Sequence, residues 1–251
     1  MNFFKWLKKD IVLNCYTSDA SVFNFAPIKP SAHFLPEWWK EIPQAIDLEN
    51  SIIPIPTMKH CTGFTDLYKQ GFVIPMWCDF LLVLGQKGTT DFLYQFSDGK
   101  SAATPHPAVQ RGAAFPKLEF QHLKIVSPWL ITCDEPIEFL ATNPTWNQED
   151  PSTMTVLPGV VNFKYQFGTS MNTIWKRPAE QTKYQIDFGT PLYHYVPLTE
   201  RKVRIKTHLI SQQDFDQLGS SATAVTFFSK YKSVKRTMQK SGCPFHFKAE
   251  K

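Results

Sequence analysis

Short apolar runs separated by glycine- and proline-containing turns fill most of the chain between residues 72 and 209. Runs of this length, broken by turns at short intervals, are typical of antiparallel β-sheets. The sequence Gly85-Gln86-Lys87-Gly88 lies between two such runs and predicts a β-hairpin there. The predicted strands cover Phe72–Leu84, Thr89–Phe96, Leu118–Ser127, Leu130–Thr132, Ile137–Ala141, Gly159–Phe167, Tyr184–Ile186, Leu192–Val196 and Val203–Leu209.

Helical patterns are confined to the two ends of the chain. We interpret residues 11–60 as an irregular segment punctuated by prolines, with short helices predicted at Pro36–Glu41 and Phe64–Lys69. The one long helix is predicted near Ala222–Lys240, and Ser211 is a candidate N-cap ahead of it. The fold class is therefore mainly β, an antiparallel β-sandwich or barrel with short N-terminal helices and one C-terminal α-helix.

The domain organisation follows these changes of pattern. Residues 1–70 form a proline-rich N-terminal arm, residues 71–210 a β-sandwich core, and residues 211–251 a basic C-terminal helix and tail. A chain of 251 residues with 43% hydrophobic content is long enough to bury a sizeable core. We therefore expect one compact domain overall.

Cysteine usage and hydropathy indicate the compartment. The five cysteines are spread singly along the chain, which predicts reduced thiols rather than a disulfide framework. The first ten residues mix aromatic residues with lysines and lack the apolar stretch of a signal peptide. No run approaches the roughly 20 apolar residues that a membrane helix needs. We expect synthesis in the cytoplasm, no secretion through a signal peptide and no membrane association.

Positive charge is concentrated at the C-terminal end. The formal net charge is +5, but residues 201–251 carry 11 Lys and Arg against 3 Asp and Glu, a net of +8. A basic segment can contact an acidic protein surface, nucleic acid or only water, and cations also stabilise the end of a helix. Nucleic-acid binding is the less favoured alternative, because the charge and most aromatic residues lie in different regions. The candidate partner-binding cations are Lys230, Lys232, Lys235, Arg236 and Lys240.

The common catalytic and metal motifs are missing from the sequence. It contains no nucleophile elbow and no phosphate-binding glycine loop. The pairs His60-Cys61 and Cys243-x-x-His246 do not have the paired spacing of a zinc site. We therefore expect no metal and no cofactor, and we lean towards a protein that is not an enzyme.

Four residues remain as candidate ligand contacts. His106 stands between Pro105 and Pro107, which restrict the backbone and would present the imidazole in a fixed direction, with Gln110 in the same loop. The simpler and favoured alternative is that His106 only ties two loops together. The other two candidates lie on or next to predicted strands, at Trp129 and His194.

The adjacent tryptophans Trp38 and Trp39 are the notable feature of the N-terminal arm. Neighbouring side chains on a helix point about 100° apart, so both rings are buried only if the helix is clamped between two surfaces. We favour an anchor that holds the arm on the core. A platform for a ligand or a protein partner is the alternative.

An ordered set of motifs between Ser127 and Pro197 resembles an uncharacterised β-rich family found in bacteriophage and marine bacterial genomes. The matching pieces are Pro128–Thr132, Asn143–Pro144, Leu157–Val161, Gly189–Leu192 and Val196–Leu198. Two further pieces, Leu35–Lys40 and Gly71–Pro75, lie upstream. The resemblance covers about three-fifths of the chain. Asp134-Glu135-Pro136 replaces a Pro-Gly-Tyr turn that is usual in the family. There is also a fainter similarity to the dUTPase-like β-clip fold. Its catalytic acid and tyrosine are replaced by Asn162 and Phe163.

The family has no assigned activity, so the resemblance implies a setting rather than a reaction. It implies a phage-type structural or accessory protein that docks on a protein partner or assembles with itself, in a host cytoplasm or a virion. The alternatives are a small-molecule binder or enzyme that uses the Pro-His-Pro loop, and a nucleic-acid-binding protein that uses the basic helix.

Overall fold

Strands make up most of the regular structure. The computed structural model describes residues 9–48, 52–107, 110, 119–147 and 153–227. The strands are β1 (Ile11–Thr17), β2 (Lys29–Pro30), β3 (Ala45–Ile46), β4 (Ile55–Pro56), β5 (Phe72–Pro75), β6 (Phe80–Leu84), β7 (Phe92–Phe96), β8 (Ala103–Pro105), β9 (Phe120–Ile125), β10 (Leu130–Cys133), β11 (Glu138–Thr142), β12 (Met154–Val156), β13 (Gly159–Asn162), β14 (Met171–Lys176), β15 (Thr182–Ile186), β16 (Pro191–Pro197) and β17 (Val203–Leu209). The helices are α1 (Ala20–Phe25), α2 (Glu37–Glu41), α3 (Thr62–Lys69) and α4 (Gln212–Phe227), with 3₁₀ turns at Ser31–Phe34, Met58–His60 and Thr145–Asn147.

The strands associate into several sheets, and the fold is mainly β as predicted. Their strand orders are β10-β1-β17, β13-β11-β16-β5-β2, β12-β14-β9-β8, β15-β6-β7 and the small pair β3-β4. Every pairing of these strands is antiparallel except that of β1 with β17, which is parallel. Within the described residues the sheets stay open and none closes on itself, which is the sandwich-like alternative of the prediction.

One large hydrophobic cluster joins the four larger sheets. It contains residues from β1 to β16, and its largest fully buried side chains are aromatic. Phe72, Phe139, Phe163 and Tyr195 lie within ring contact of one another, with centroid separations of 5.0 to 6.2 Å. Aromatic side chains bury the most area per residue, so this cluster makes a large hydrophobic contribution to folding.

Several sequence-based predictions are confirmed in outline. The hairpin of β6 and β7 forms as expected, although the predicted first run divides into β5 and β6. The division occurs after Pro75, where the chain turns and Asp79 accepts a hydrogen bond from the Phe188 amide at 2.8 Å. Both short helices are present as α2 and α3. The four cysteines in the described residues carry free thiols.

The interpretation of residues 11–60 as irregular is wrong for β1. Its seven residues alternate between buried and half-buried, and Ile11, Leu13 and Cys15 have no exposed surface. This alternation is the period of a strand, and the prolines on which the irregular interpretation rests all lie after β1. Strands β8, β12 and β14 and helix α1 were likewise not predicted.

The C-terminal helix begins about ten residues before its predicted start. The Ser211 hydroxyl accepts a hydrogen bond from the Asp214 amide at 3.1 Å, so Ser211 is an N-cap as predicted. The helix begins at the next residue, Gln212. Phe215 and Leu218 pack against Tyr16, Leu130 and Phe167 in a second, small cluster. The remainder of the predicted helix, from residue 228 onwards, lies outside the described residues.

Gly71 joins α3 to β5 at a point where no side chain fits. Its φ is +81°, and a Cβ placed there would lie 1.9 Å from the carbonyl oxygen of Tyr195 on β16. The glycine therefore serves both the left-handed turn and the close approach of two backbones. It fixes α3, and what packs on α3, against the middle of the largest sheet.

Candidate functional site

Five aromatic side chains from three separate segments pack together where the N-terminal arm meets the sheets. Trp146 lies at their centre, and we call the group, which consists of Trp38, Trp39, Phe64, Tyr68 and Trp146, the aromatic seat. The Trp146 ring stacks on Trp38 at 5.5 Å and meets the other three rings edge-on at 4.5 to 5.3 Å. Offset stacking and edge-to-face contact are the favoured arrangements of aromatic rings.

Hydrogen bonds join the segments that form the aromatic seat. The Trp38 indole donates to the Trp146 carbonyl at 3.2 Å. The Tyr68 hydroxyl donates to the Asn147 side chain at 3.0 Å, and the Asn147 amide donates to the Phe34 carbonyl at 2.8 Å. The polar atoms of Trp38 and Tyr68 are thus satisfied within the chain. This arrangement is an anchor of the arm, as favoured for the tryptophan pair.

The two tryptophans of the pair have different surroundings. Trp39 is buried at 7% exposure, whereas Trp38 keeps 42% of its surface exposed. Trp38 is therefore the one of the two that remains able to contact a partner. Trp146, the residue at the centre, was not singled out from the sequence, because it lies on a 3₁₀ turn where no periodic pattern marks it.

His194 lies beneath the aromatic seat on β16. Its ring centroid is 6.1 Å from that of Tyr68, and its Nε2 is 2.8 Å from Ser31 Oγ and 3.1 Å from the Gln70 carbonyl. The Ser31 hydroxyl donates to the same carbonyl at 2.9 Å. Because a carbonyl can only accept, Nε2 must carry the proton and donate to both oxygens.

This serine and histidine do not form a nucleophile and base. Ser31 has no exposed surface, and its hydroxyl hydrogen is already committed to the Gln70 carbonyl. The pair instead joins the 3₁₀ turn Ser31–Phe34, the end of α3 and the central strand β16. Burial lowers the pKa of His194, while its hydrogen bond to the Gln70 backbone acts in the opposite direction. The neutral imidazole is therefore the form that fits.

His106 and Gln110 come together as the loop sequence suggested. His106 Nδ1 lies 2.5 Å from Gln110 Oε1, and the His106 amide donates to the His122 carbonyl on β9. The two imidazoles stack at 4.5 Å and 19°. His122 was missed, since its strand position gives no sign of which loop lies over it. This contact ties the loop to its sheet, which agrees with the favoured alternative for His106.

The remaining candidates are dispersed. Trp129 is completely buried in the large core, and its carbonyl accepts a hydrogen bond from Thr169 at 2.6 Å. The five predicted cations from Lys230 to Lys240 lie outside the described residues. Among the described residues no group of three or more His, Cys, Asp or Glu side chains converges as a metal site would require. The predicted ligand contacts therefore do not form one cleft.

Among the described residues lie surface clefts of about 300, 340 and 450 Å³, and none of these includes His106, Trp129 or His194. The cleft of about 340 Å³ is lined by Trp175, Tyr184 and Leu192 and reaches Asn147 beside the aromatic seat. These volumes are at the lower end of those of small-molecule sites.

A second feature of the arm is a small, uncovered hairpin. Strands β3 and β4 pair Ala45 with Pro56 and Ile46 with Ile55. We call residues 45–48 and 52–56 the apolar hairpin. Its exposed aliphatic residues are Ile46 (47%), Leu48 (51%), Ile52 (102%), Ile53 (75%) and Ile55 (45%).

Alternation along the strands gives the apolar hairpin two different faces. Ile46 and Ile55 lie opposite each other on one face of the strand pair. Ala45 and Pro56 lie on the other face. Leu48 and Ile53, two residues beyond this pair in each segment, are 51% and 75% exposed, so the aliphatic side chains of this segment remain largely uncovered by the described residues.

Comparisons with known proteins leave the family open. No protein-family model matches the chain, and no curated protein is significantly similar to it in sequence. The resemblance to a phage and marine bacterial family therefore stays a prediction. Within the described part of the chain, no helix has the length and apolar character needed to cross a bilayer.

Proposed function

We propose that this protein is a phage-type structural or accessory protein, a β scaffold that docks on a protein surface through the apolar hairpin. The hairpin and the residues around its base carry the proposal. Of 15 large hydrophobic residues that are exposed in the described chain, eight lie between residues 38 and 64. They are the five aliphatic residues of the hairpin together with Trp38, Met58 and Phe64.

Clustering distinguishes these residues from ordinary surface hydrophobics. Scattered exposed apolar side chains are normal, but a contiguous apolar patch marks an interaction site. The two strands are joined at their base, where the Thr57 amide donates to the Gln44 carbonyl at 3.0 Å, and just beyond it the Lys59 side chain donates to the Lys40 carbonyl of α2 at 2.8 Å. The hairpin is thus connected at its base to the helix that carries Trp38 and Trp39.

The remaining features favour a scaffold over an enzyme. The serine and histidine pair is sealed, the stacked histidines hold a loop, and the predicted ligand contacts are dispersed. The phage setting is supported by the motif resemblance alone, through Pro128–Thr132, Leu157–Val161 and the related pieces.

Site-specific photo-cross-linking tests the docking surface. A photoreactive residue at position 53 should cross-link to one defined protein, another copy included, in cells that make this protein naturally. The matched control is position 160, where Val160 is 57% exposed on the edge strand β13. The cross-linked protein, once purified, should bind the wild type and lose binding to Ile53→Asp. Equal cross-linking from positions 53 and 160 would contradict the proposal.

A further inference from the structure

We propose that the apolar hairpin pairs with the hairpin of a second copy of this chain, β3 against β3, to form a closed symmetric dimer. This inference rests on the proposed docking function and names the partner. The observation behind this inference is that the outer edges of β3 and β4 expose different backbone hydrogen-bonding groups.

The outer edge of β4 has no donors. The Thr57 amide donates to Gln44, so this pair is hydrogen-bonded and the next pair, Ala45 and Pro56, is not. Backbone groups therefore point outward at Pro56 of β4, and the position that would follow in the same register, just before β4, is Pro54. Proline on an outward position blocks the addition of another strand.

The outer edge of β3 keeps its donors and acceptors. The same alternation points the N–H and C=O groups of Ala45 outward, and the next outward position, if the register is continued past the end of β3, is Asp47. No described residue forms a backbone hydrogen bond with either. The prolines thus prevent another strand from pairing with the outer edge of β4, whereas the outer edge of β3 can accept one. Because an open edge readily pairs with other chains, the guarding of only one edge indicates a single partner strand.

The open edge is complementary to itself. In an antiparallel pair centred on Ile46, Ala45 of each copy faces Asp47 of the other, which allows four N–H···O=C hydrogen bonds. The two Asp47 carboxylates then lie opposite Ala45 and not opposite each other, so like charges are kept apart. Ile46 meets Ile46 of the second copy at the close, non-hydrogen-bonded position.

Such a pairing closes on itself. The outer strands of the resulting four-stranded sheet are the two copies of β4, whose outward positions are prolines, so no further chain can add. The sheet also relieves a weakness of the single copy, since an isolated two-stranded hairpin is only marginally stable in water.

Edge pairing brings together the aliphatic side chains on the β3 side of the hairpin. Ile46 and Leu48 are 47% and 51% exposed, so the pairing adds contacts between aliphatic side chains of neighbouring strands to the backbone hydrogen bonds.

Sedimentation of the purified full-length chain tests the dimer. The wild type should be a dimer and Ala45→Pro a monomer, because proline removes one outward donor and leaves the bonds between β3 and β4 intact. Ala45→Ser keeps the donor and should remain dimeric. Circular dichroism checks that each variant is folded. A monomeric wild type, or a folded Ala45→Pro that dimerises as the wild type does, overturns the inference.

A charge exchange at the two-fold axis tests the register. Ile46→Asp and Ile46→Lys should each weaken the dimer at least about tenfold, since each places like charges opposite each other. Mixing the two variants should restore association as a heterodimer. If the mixture stays monomeric while the wild type dimerises, the β3–β3 pairing is wrong.

The experiments distinguish failure of the symmetric dimer from failure of the docking proposal. A monomeric wild type whose position 53 cross-links to a different protein contradicts the symmetric dimer and supports docking. A dimer that Ala45→Pro and the Ile46 variants leave unchanged contradicts the hairpin interface itself.

Discussion

The apolar hairpin and most of the aromatic seat belong to the same N-terminal stretch of chain, yet their apolar side chains differ in how far they are packed against other residues. In the aromatic seat the rings pack on Trp146, and the Trp38 indole and the Tyr68 hydroxyl donate hydrogen bonds within the chain. In the apolar hairpin the aliphatic residues remain 45 to 102% exposed. Similar apolar content therefore supports an internal anchor in one case and an external surface in the other.

The largest effect on stability is expected from Trp146→Ala. The substitution removes the ring that contacts Trp38, Trp39, Phe64 and Tyr68, so it should lower the free energy of unfolding by about 3 kcal/mol. Urea denaturation of the purified variant measures the loss. Trp146→Phe keeps an aromatic ring and should lose clearly less. A loss below about 1 kcal/mol would show that the aromatic seat is not an anchor.

A smaller effect is expected from acid, through His194 beneath the aromatic seat. Burial lowers its pKa in the folded state, whereas in the unfolded chain it has the ordinary value of about 6.5. Above that pH both states hold a neutral imidazole and the group contributes no pH dependence. Below it the unfolded state binds more protons, so stability should fall as the pH decreases.

His194→Gln isolates this contribution. The glutamine amide can donate from about the position of Nε2 but does not titrate, so its stability should depend less on pH between 7 and 5 than that of the wild type. His208 on β17 also has a pKa lowered by burial and by Lys206, and its contribution is present in both proteins. Identical pH profiles for wild type and His194→Gln would count against a buried neutral imidazole at position 194.

The aromatic seat and the apolar hairpin also show which features the sequence reveals. Apolar runs and turns predicted the mainly β class, the β6–β7 hairpin and α2, because strand and turn preferences are local. The Ser211 cap was also readable. Contacts between distant segments were not, since nothing near Trp146 indicates that Trp38 lies over it, and nothing near His122 indicates His106.

The hairpin illustrates a further limit. Residues 43–56 are rich in proline, and this composition predicts irregular structure. In the structure Pro56 occupies an outward position of β4, where the missing donor does not weaken the pairing with β3, and Pro54 lies just before the strand. A proline that interrupts regular structure and a proline at an outward strand position look the same in the sequence, and the register between β3 and β4 is needed to distinguish them.

The smallest effect on stability is expected from Ile53→Ser, and this variant tests the comparison most directly. The Ile53 side chain is 75% exposed, so its loss should change the free energy of unfolding of the monomer by no more than about 0.5 kcal/mol. The measurement is made in an Ala45→Pro background, because dimer formation would otherwise add concentration-dependent stability. A loss above about 1 kcal/mol in the monomer would mean that the hairpin packs on its own chain, and the distinction between aromatic seat and apolar hairpin would fail.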